Sequence, residues 1–396
     1  MPDPSDVTIP FHRPFLGEEE VEAAAAVIRS GWLTTGPVSA EFERAAAAYL
    51  GGGDKSCAAT TSGTSAMTLA LLGIGISQGD EVITTPYTFA ATAQAITAVG
   101  AVAIFADIDL GTGNLCPAAA AAAITARTKA IVVVHVGGHP AEMAKFVALA
   151  QKHDLKIIED AAHAFETKSE LGAPGTKTAA ACFSFYASKN LTMGEGGMVC
   201  AEDPKLIEEL RSLRNHGLDR DSWSRDGKSR PWAYDLHRHG LKVNPSDVLS
   251  AIGLVQLGRV ETFQAQRREL VAQYREGLAD LECLELPADP EPENSRHAWH
   301  LFSPRFRDDE SAVHRDDLLL ALGAEGIQTS VHFKPLHEMS IWRKEQPELS
   351  FPIAEARGRS VFSLPLFPGL KASQVDRVIT CLRKQLDRRS AKGSRS

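Results

Sequence analysis

Between about residues 56 and 201 the chain alternates short apolar runs with helical patterns, and this alternation restricts its fold more than any other feature. The runs are Glu81–Thr85, Ala101–Phe105, Thr128–His135, Lys156–Asp160, Ala180–Tyr186 and Gly197–Ala201. Strand, helix, strand repetition builds an α/β architecture, a mainly parallel central sheet covered by helices. Ala-rich helical patterns at Glu18–Arg29 and Ala40–Leu50 precede it, and helical segments at Lys205–Asn215 and Ser246–Leu257 follow. A long polar helix over Val260–Leu281 then leads into strand, helix and strand patterns ending near Leu386, a compact α+β unit; Leu286–Asn294 is Pro-rich and reads as a loop. The Ala118–Ala123 run reads as a helix, because alanine is the best helix former. At 396 residues the chain exceeds one ordinary core, since single cores stop growing at about 250 to 300 residues. The expected division is a large α/β domain over 1–260, a small α+β domain over 261–387 and a frayed tail over 388–396.

Composition narrows the function classes. With 44% hydrophobic and 23% charged residues the chain can build a sizeable core, and disorder is not the default. A net charge of −8 argues against nucleic acid as a partner, which normally meets a basic face. The six cysteines stand far apart, with neither a zinc-type nor a disulfide-type spacing. No apolar run reaches membrane-spanning length, and Met1–Val7 lacks the pattern of a signal peptide, so a cytoplasmic location without membrane contact is expected. His135 and His139, like His332 and His337, lack an acidic or cysteine partner at motif spacing, so no metal site is expected.

Three segments carry chemistry. Lys189 stands where the apolar run from Ala181 breaks into the glycine-rich Met193–Gly197. An isolated lysine at a strand end simply reaches water, but apolar surroundings lower an amine's pKa, and a neutral amine forms a Schiff base with an aldehyde cofactor such as pyridoxal phosphate. Asp160 ends a buried run at the carboxyl edge of the sheet, where α/β sheets bind ligands. A carboxylate there can cap the next helix, and it can equally keep a pyridine nitrogen protonated, with His163 facing the same ring. Thr60–Ser65, with Gly63 and Thr64, runs straight into a helical pattern, which is either a simple cap or an anion site suited to a cofactor phosphate. Ser184 offers a further hydroxyl to that phosphate.

Taken with Ser30–Pro37, Pro86–Phe89, Glu159–His163, Gly194–Gly197, His216–Gly217, Gly240–Asp247, Val331–His337 and Ser363–Gly369, these segments resemble the DegT-type sugar aminotransferases over nearly the whole chain. The resemblance implies a fold type I pyridoxal-phosphate-dependent transferase. It makes Lys189 the covalent anchor of pyridoxal 5'-phosphate and the proton carrier, Asp160 the pyridine-nitrogen partner and His163 the neighbour of the ring hydroxyl. Phe89 falls where an aromatic stacks on the ring, and Gly63, Thr64 and Ser184 hold the phosphate. Asn244 reaches that phosphate from the neighbouring subunit, which implies a homodimer with a shared site.

The implied reaction passes through pyridoxamine phosphate, takes the amino group from L-glutamate and gives it to a nucleotide-linked keto-sugar, with a UDP-linked 4-keto-6-deoxy sugar the best match. Thr35, Lys242, His332 and His337 are the substrate candidates; the two histidines either contact substrate hydroxyls or pack at the domain boundary. Phe165–Glu166 replaces the small pair usual beyond His163, and Leu241 and Val243 replace the tyrosines common around Lys242. A sugar dehydratase of this fold would carry histidine in place of Lys189. A cyclitol or other keto compound as acceptor, and a non-catalytic cofactor-binding regulator, are the other readings.

Overall fold

The computed structural model describes residues 8–51, 56–218, 235, 236, 238–307 and 315–393. Its centre is a seven-stranded sheet of β1 (Ser56–Thr60), β2 (Glu81–Thr84), β3 (Val102–Phe105), β4 (Thr128–Val134), β5 (Lys156–Asp160), β6 (Ala180–Ser184) and β7 (Gly197–Ala201), in the order β1-β7-β6-β5-β4-β2-β3. β7 runs antiparallel to both its neighbours, β1 and β6, and the remaining pairings are parallel. The run Ala130–Val134 is buried throughout, as a central strand covered on both faces requires.

Helices α1 (Glu18–Ser30), α2 (Pro37–Tyr49), α3 (Gly63–Gly73), α4 (Ala90–Ala98), α5 (Pro117–Ala122), α6 (Met143–His153) and α7 (Pro204–Leu213) accompany the sheet. One face is closed by a core holding Met67, Leu69, Val82, Ile96, Val132 and Ile158, and the other by Phe42, Phe183, Phe185 and Met198. Truncating a buried phenylalanine such as Phe183 to alanine would cost about 3–5 kcal/mol.

The two helical segments expected at Ser246–Leu257 and Val260–Leu281 are one helix, α8 (Asp247–Leu278), 32 residues long. Gly258 sits within it with no packing neighbour and does not break it, since glycine inside a helix costs only about 1 kcal/mol. Beyond α8 come β8 (Leu284–Glu285), β9 (Arg305–Phe306), α9 (Arg315–Ala324), α10 (Ser340–Glu345), α11 (Pro352–Ser360) and α12 (Ala372–Gly393). A second core of Tyr274, Phe302, Leu322, Phe362 and Val378 joins the end of α8 to this region. The tail expected to fray from 388 stays helical to Gly393, and residues 394–396 lie outside the described residues.

Candidate active site

The carboxyl ends of the parallel strands open into a cavity of about 600 Å³. β5 delivers Asp160 to its floor, buried, with Thr92 Oγ1 donating to Oδ2 at 2.7 Å and the Ala162 amide to Oδ1 at 3.2 Å. Burial pushes this carboxyl up, and Thr92, Ala162 and the nearby Lys189 charge pull it back. An additional positive partner in the cavity would complete its stabilisation.

β6 ends at Ser184, and the turn after it closes with the Lys189 amide donating to Tyr186 O at 2.9 Å. This places the Lys189 side chain in the cavity. Desolvation lowers its amine from 10.5 to about 8, with the Asp160 charge opposing the fall. About a tenth of the amine is therefore unprotonated and nucleophilic at pH 7, far more than for an ordinary lysine.

α3 begins where β6 and β7 approach it most closely. Ser62 caps the helix by accepting from the Ser65 amide at 3.1 Å, which leaves the Gly63 and Thr64 amides at the cavity end. A Cβ on Gly63 would sit 2.8 Å from Ser184 Cβ, and one on Gly197 would sit 2.2 Å from Ser62 O. Only glycine at both positions lets these three chain segments meet. Backbone amides, the helix dipole and the Ser62, Thr64 and Ser184 hydroxyls fit a phosphate there. Phe89, 66% exposed, stands at the same cavity as an uncovered aromatic face.

His163 receives the Gly137 amide on Nδ1 at 3.3 Å, so its other nitrogen, Nε2, carries the hydrogen and is the donor. Burial and the Lys189 charge hold its pKa well below 6.5, so the ring is neutral. Its ring lies beside those of Phe333 and His300, with centroids 6.0 Å and 4.2 Å away. His332 also lines the cavity, bonded through Nδ1 to Ser363 Oγ at 2.9 Å, and burial lowers it to about 4.

The other substrate candidates lie elsewhere. His337 is committed to Glu355 at 3.0 Å, packs on Phe351 and does not line the cavity. Asn244 donates to Thr35 Oγ1 at 2.6 Å, and Lys242 donates to Asn215 Oδ1 at 3.0 Å. None of Thr35, Lys242 and Asn244 lines the cavity of its own chain. His135 is held by buried Glu159 at 2.9 Å, and among the described residues no group of three or more His, Cys, Asp or Glu is placed to hold a metal ion. No described helix is long and apolar enough to cross a membrane.

The sequence reading missed Phe11, His12, Thr92 and His300. His12 reaches the cavity wall by donating to Ala187 O at 3.1 Å. These residues arrive from distant stretches of chain; only the exact spacing of Thr92 after Phe89, one turn along α4, was there to be read.

A profile of the DegT/DnrJ/EryC1/StrS aminotransferase family matches residues 14–383. The chain belongs to that family. The spore coat polysaccharide biosynthesis protein SpsC of Bacillus subtilis is 39% identical over 378 residues, covering 95% of this chain and 96% of SpsC. DesV from S. venezuelae, solved in complex with a ketimine intermediate, is 34% identical with a TM-score of 0.84, over 95% of this chain and 99% of DesV. DesI, solved in the presence of its TDP-sugar product, is 30% identical with a TM-score of 0.86, over 98% of this chain and 95% of DesI. The chain is a sugar aminotransferase of fold type I, and its cofactor is pyridoxal phosphate, the group whose aldehyde and amine forms occur in solved structures of this fold.

Proposed function

We propose that this enzyme moves the amino group of L-glutamate to a keto-sugar carried on a nucleotide, a UDP-linked 4-keto-6-deoxy sugar by the resemblance of its Val331–His337 and Gly240–Asn244 segments. The observation that carries the reading is one cavity holding a lysine amine lowered to about 8, a buried carboxylate and the open start of α3. When bound, pyridoxal phosphate supplies an aldehyde that takes up an amino group and a protonated ring that draws electrons from the carbon losing a proton.

The residues divide the remaining work. Lys189 Nζ would hold the cofactor aldehyde and, once free, would carry a proton away from the donor's α-carbon and return it in the second half of the reaction. Asp160 would keep the proton on the pyridine nitrogen, and the Nε2–H of His163 would donate to the ring hydroxyl oxygen. Phe89 would cover a face of the ring, and Gly63, Thr64 and Ser184 would hold the phosphate. Asn244, with Thr35 and Lys242, belongs to the site of a second copy, so the working enzyme is a homodimer. That these three lie outside their own chain's cavity favours this arrangement. Of the two histidines taken as substrate candidates, His332 lines the cavity and would meet the sugar.

Overall, glutamate and the keto-sugar become 2-oxoglutarate and the amino-sugar. Purified enzyme supplied with cofactor, glutamate and a panel of nucleotide keto-sugars, followed by mass detection, tests the assignment. Amination of a UDP-linked 4-keto-6-deoxy sugar with an equal yield of 2-oxoglutarate is expected. Amination of a cyclitol alone would overturn the substrate assignment.

A further inference from the structure

His163 has a neighbour with no part in the chemistry above. His300 packs against it, is 8% exposed and lines the same cavity. The residue after Lys189 fixes its hydrogen-bonding state. Asn190 Nδ2 donates to Ala298 O at 2.8 Å and to Glu166 Oε2 at 3.2 Å. With the amide nitrogen facing two acceptors, the amide oxygen must face the other way, where it lies 3.0 Å from His300 Nδ1. An oxygen at that distance requires the hydrogen on Nδ1. Burial and the neighbouring charges of Lys189 and Arg267 keep the ring neutral. Nε2 therefore carries a bare lone pair, and because Nδ1 is engaged in the wall, Nε2 is the nitrogen available to the cavity. His163 is in the opposite tautomer. Two adjacent rings thus offer one donor and one acceptor.

We propose that His300 contacts substrate, its Nε2 accepting a hydrogen bond from an O–H or N–H group bound in the cavity, with Asn190 and Glu166 as positioning residues. The proposal deepens the aminotransferase reading and rests on it. Two substrates carry such donors, the amino group of glutamate and the hydroxyls of the keto-sugar. With the Ser62, Thr64 and Ser184 hydroxyls turned to the phosphate and the Nε2–H of His163 a donor, His300 Nε2 adds an uncharged acceptor that Asp160, committed to the ring nitrogen, does not supply. Glu166 is 1% exposed and gives one oxygen to Asn190. Its hydrogen bond reaches the cavity through Asn190 and His300, the pattern by which a buried acceptor sets a histidine's tautomer.

Two measurements test this. Histidine ¹⁵N NMR of the cofactor-free enzyme, assigned with His300→Gln, is expected to show His300 protonated at Nδ1, and Asn190→Leu is expected to abolish that signature. In steady-state kinetics His300→Leu is expected to raise KM for one substrate by about 5- to 10-fold, the loss of one neutral hydrogen bond, with a smaller change in kcat. His300→Gln, whose amide oxygen can accept, recovers part of it. A rise for glutamate assigns the amino group as the donor, and a rise for the keto-sugar assigns a hydroxyl. Unchanged KM for both substrates, or a wild-type ring protonated at Nε2, overturns the proposal. The NMR needs no turnover, so a wild-type enzyme that moves no amino group is recognised separately as a failure of the aminotransferase reading, and the proposal falls with it.

Discussion

Glu43 and Glu166 are both buried acids, 3% and 1% exposed, in opposite circumstances. Glu43 accepts from the Ala59 amide at 3.0 Å and forms ion pairs with Arg211 and Arg214. Arg214 in turn holds the Val243 amide through its carbonyl at 2.9 Å, and Val243 O accepts from the Thr61 amide at 2.9 Å. This staple ties α2, β1 and the 241–244 segment to the approach of α3. Glu166 has one oxygen on Asn190 and one without a partner among the described residues, and burial raises its carboxyl to about 7. Glu43, with both carboxylate oxygens engaged, serves the fold. Around Glu166, Asp160 and Lys189, where burial moves each group away from its ordinary pKa, the protein retains groups poised to change protonation.

The contrast predicts opposite mutational signatures. Lys189→Ala is expected to lower the transamination rate by at least about a thousandfold, because both the covalent attachment and the proton transfer are lost. Its Tm is expected to stay level or rise, which a thermal melt checks; a folded variant with normal turnover would erase the distinction. Glu43→Ala is expected to do the reverse. It leaves Arg214 buried and unpaired, at a cost of about 3–5 kcal/mol in urea unfolding, while the protein that remains folded still develops the visible band of lysine-bound cofactor.

Protonation sharpens the comparison further. The Lys189 amine is lowered to about 8, so cofactor capture by the cofactor-free enzyme should accelerate about tenfold per pH unit below that value and level off above it. Stopped-flow absorbance across pH measures this; a rate that keeps climbing toward pH 10.5 would mean an ordinary lysine. The smallest effect concerns Glu166. Its carboxyl is raised in the folded state from 4.5 to about 7, so the folded protein binds more protons than the unfolded chain between those values. Stability therefore falls as pH rises through that window and is level above it. Glu166→Gln should flatten that slope in unfolding titrations, and an unchanged slope would show that Glu166 is already ionised.

What the sequence disclosed follows the same division. The strand that ends in Asp160 and the strand that breaks before Lys189 were legible because apolar runs stop at polar residues, and the sheet collects those stops along one edge. Gly63 and Thr64 were legible because small polar residues precede a helical pattern. His300 and His12 were not, since neither interrupts a periodic pattern, and each joins the cavity through bonds to residues far away in the chain. Glu166 stood out only as a departure from a small pair, and its link to Asn190 is a matter of tertiary packing. Phe165, its companion, lies in the apolar core against Tyr49, Phe183 and Phe185 and widens that packing rather than the cavity. The continuity of α8 was obscured by Gly258, which packing on α1, α2 and α12 overrides.

The most direct test of the central claim is the visible absorbance spectrum of the purified enzyme with pyridoxal phosphate, before and after L-glutamate is added. A yellow band that depends on Lys189 and gives way to the near-ultraviolet band of pyridoxamine phosphate is the predicted result. A yellow band that glutamate leaves unchanged would contradict glutamate as the donor, and the absence of any band would contradict the assignment of Lys189.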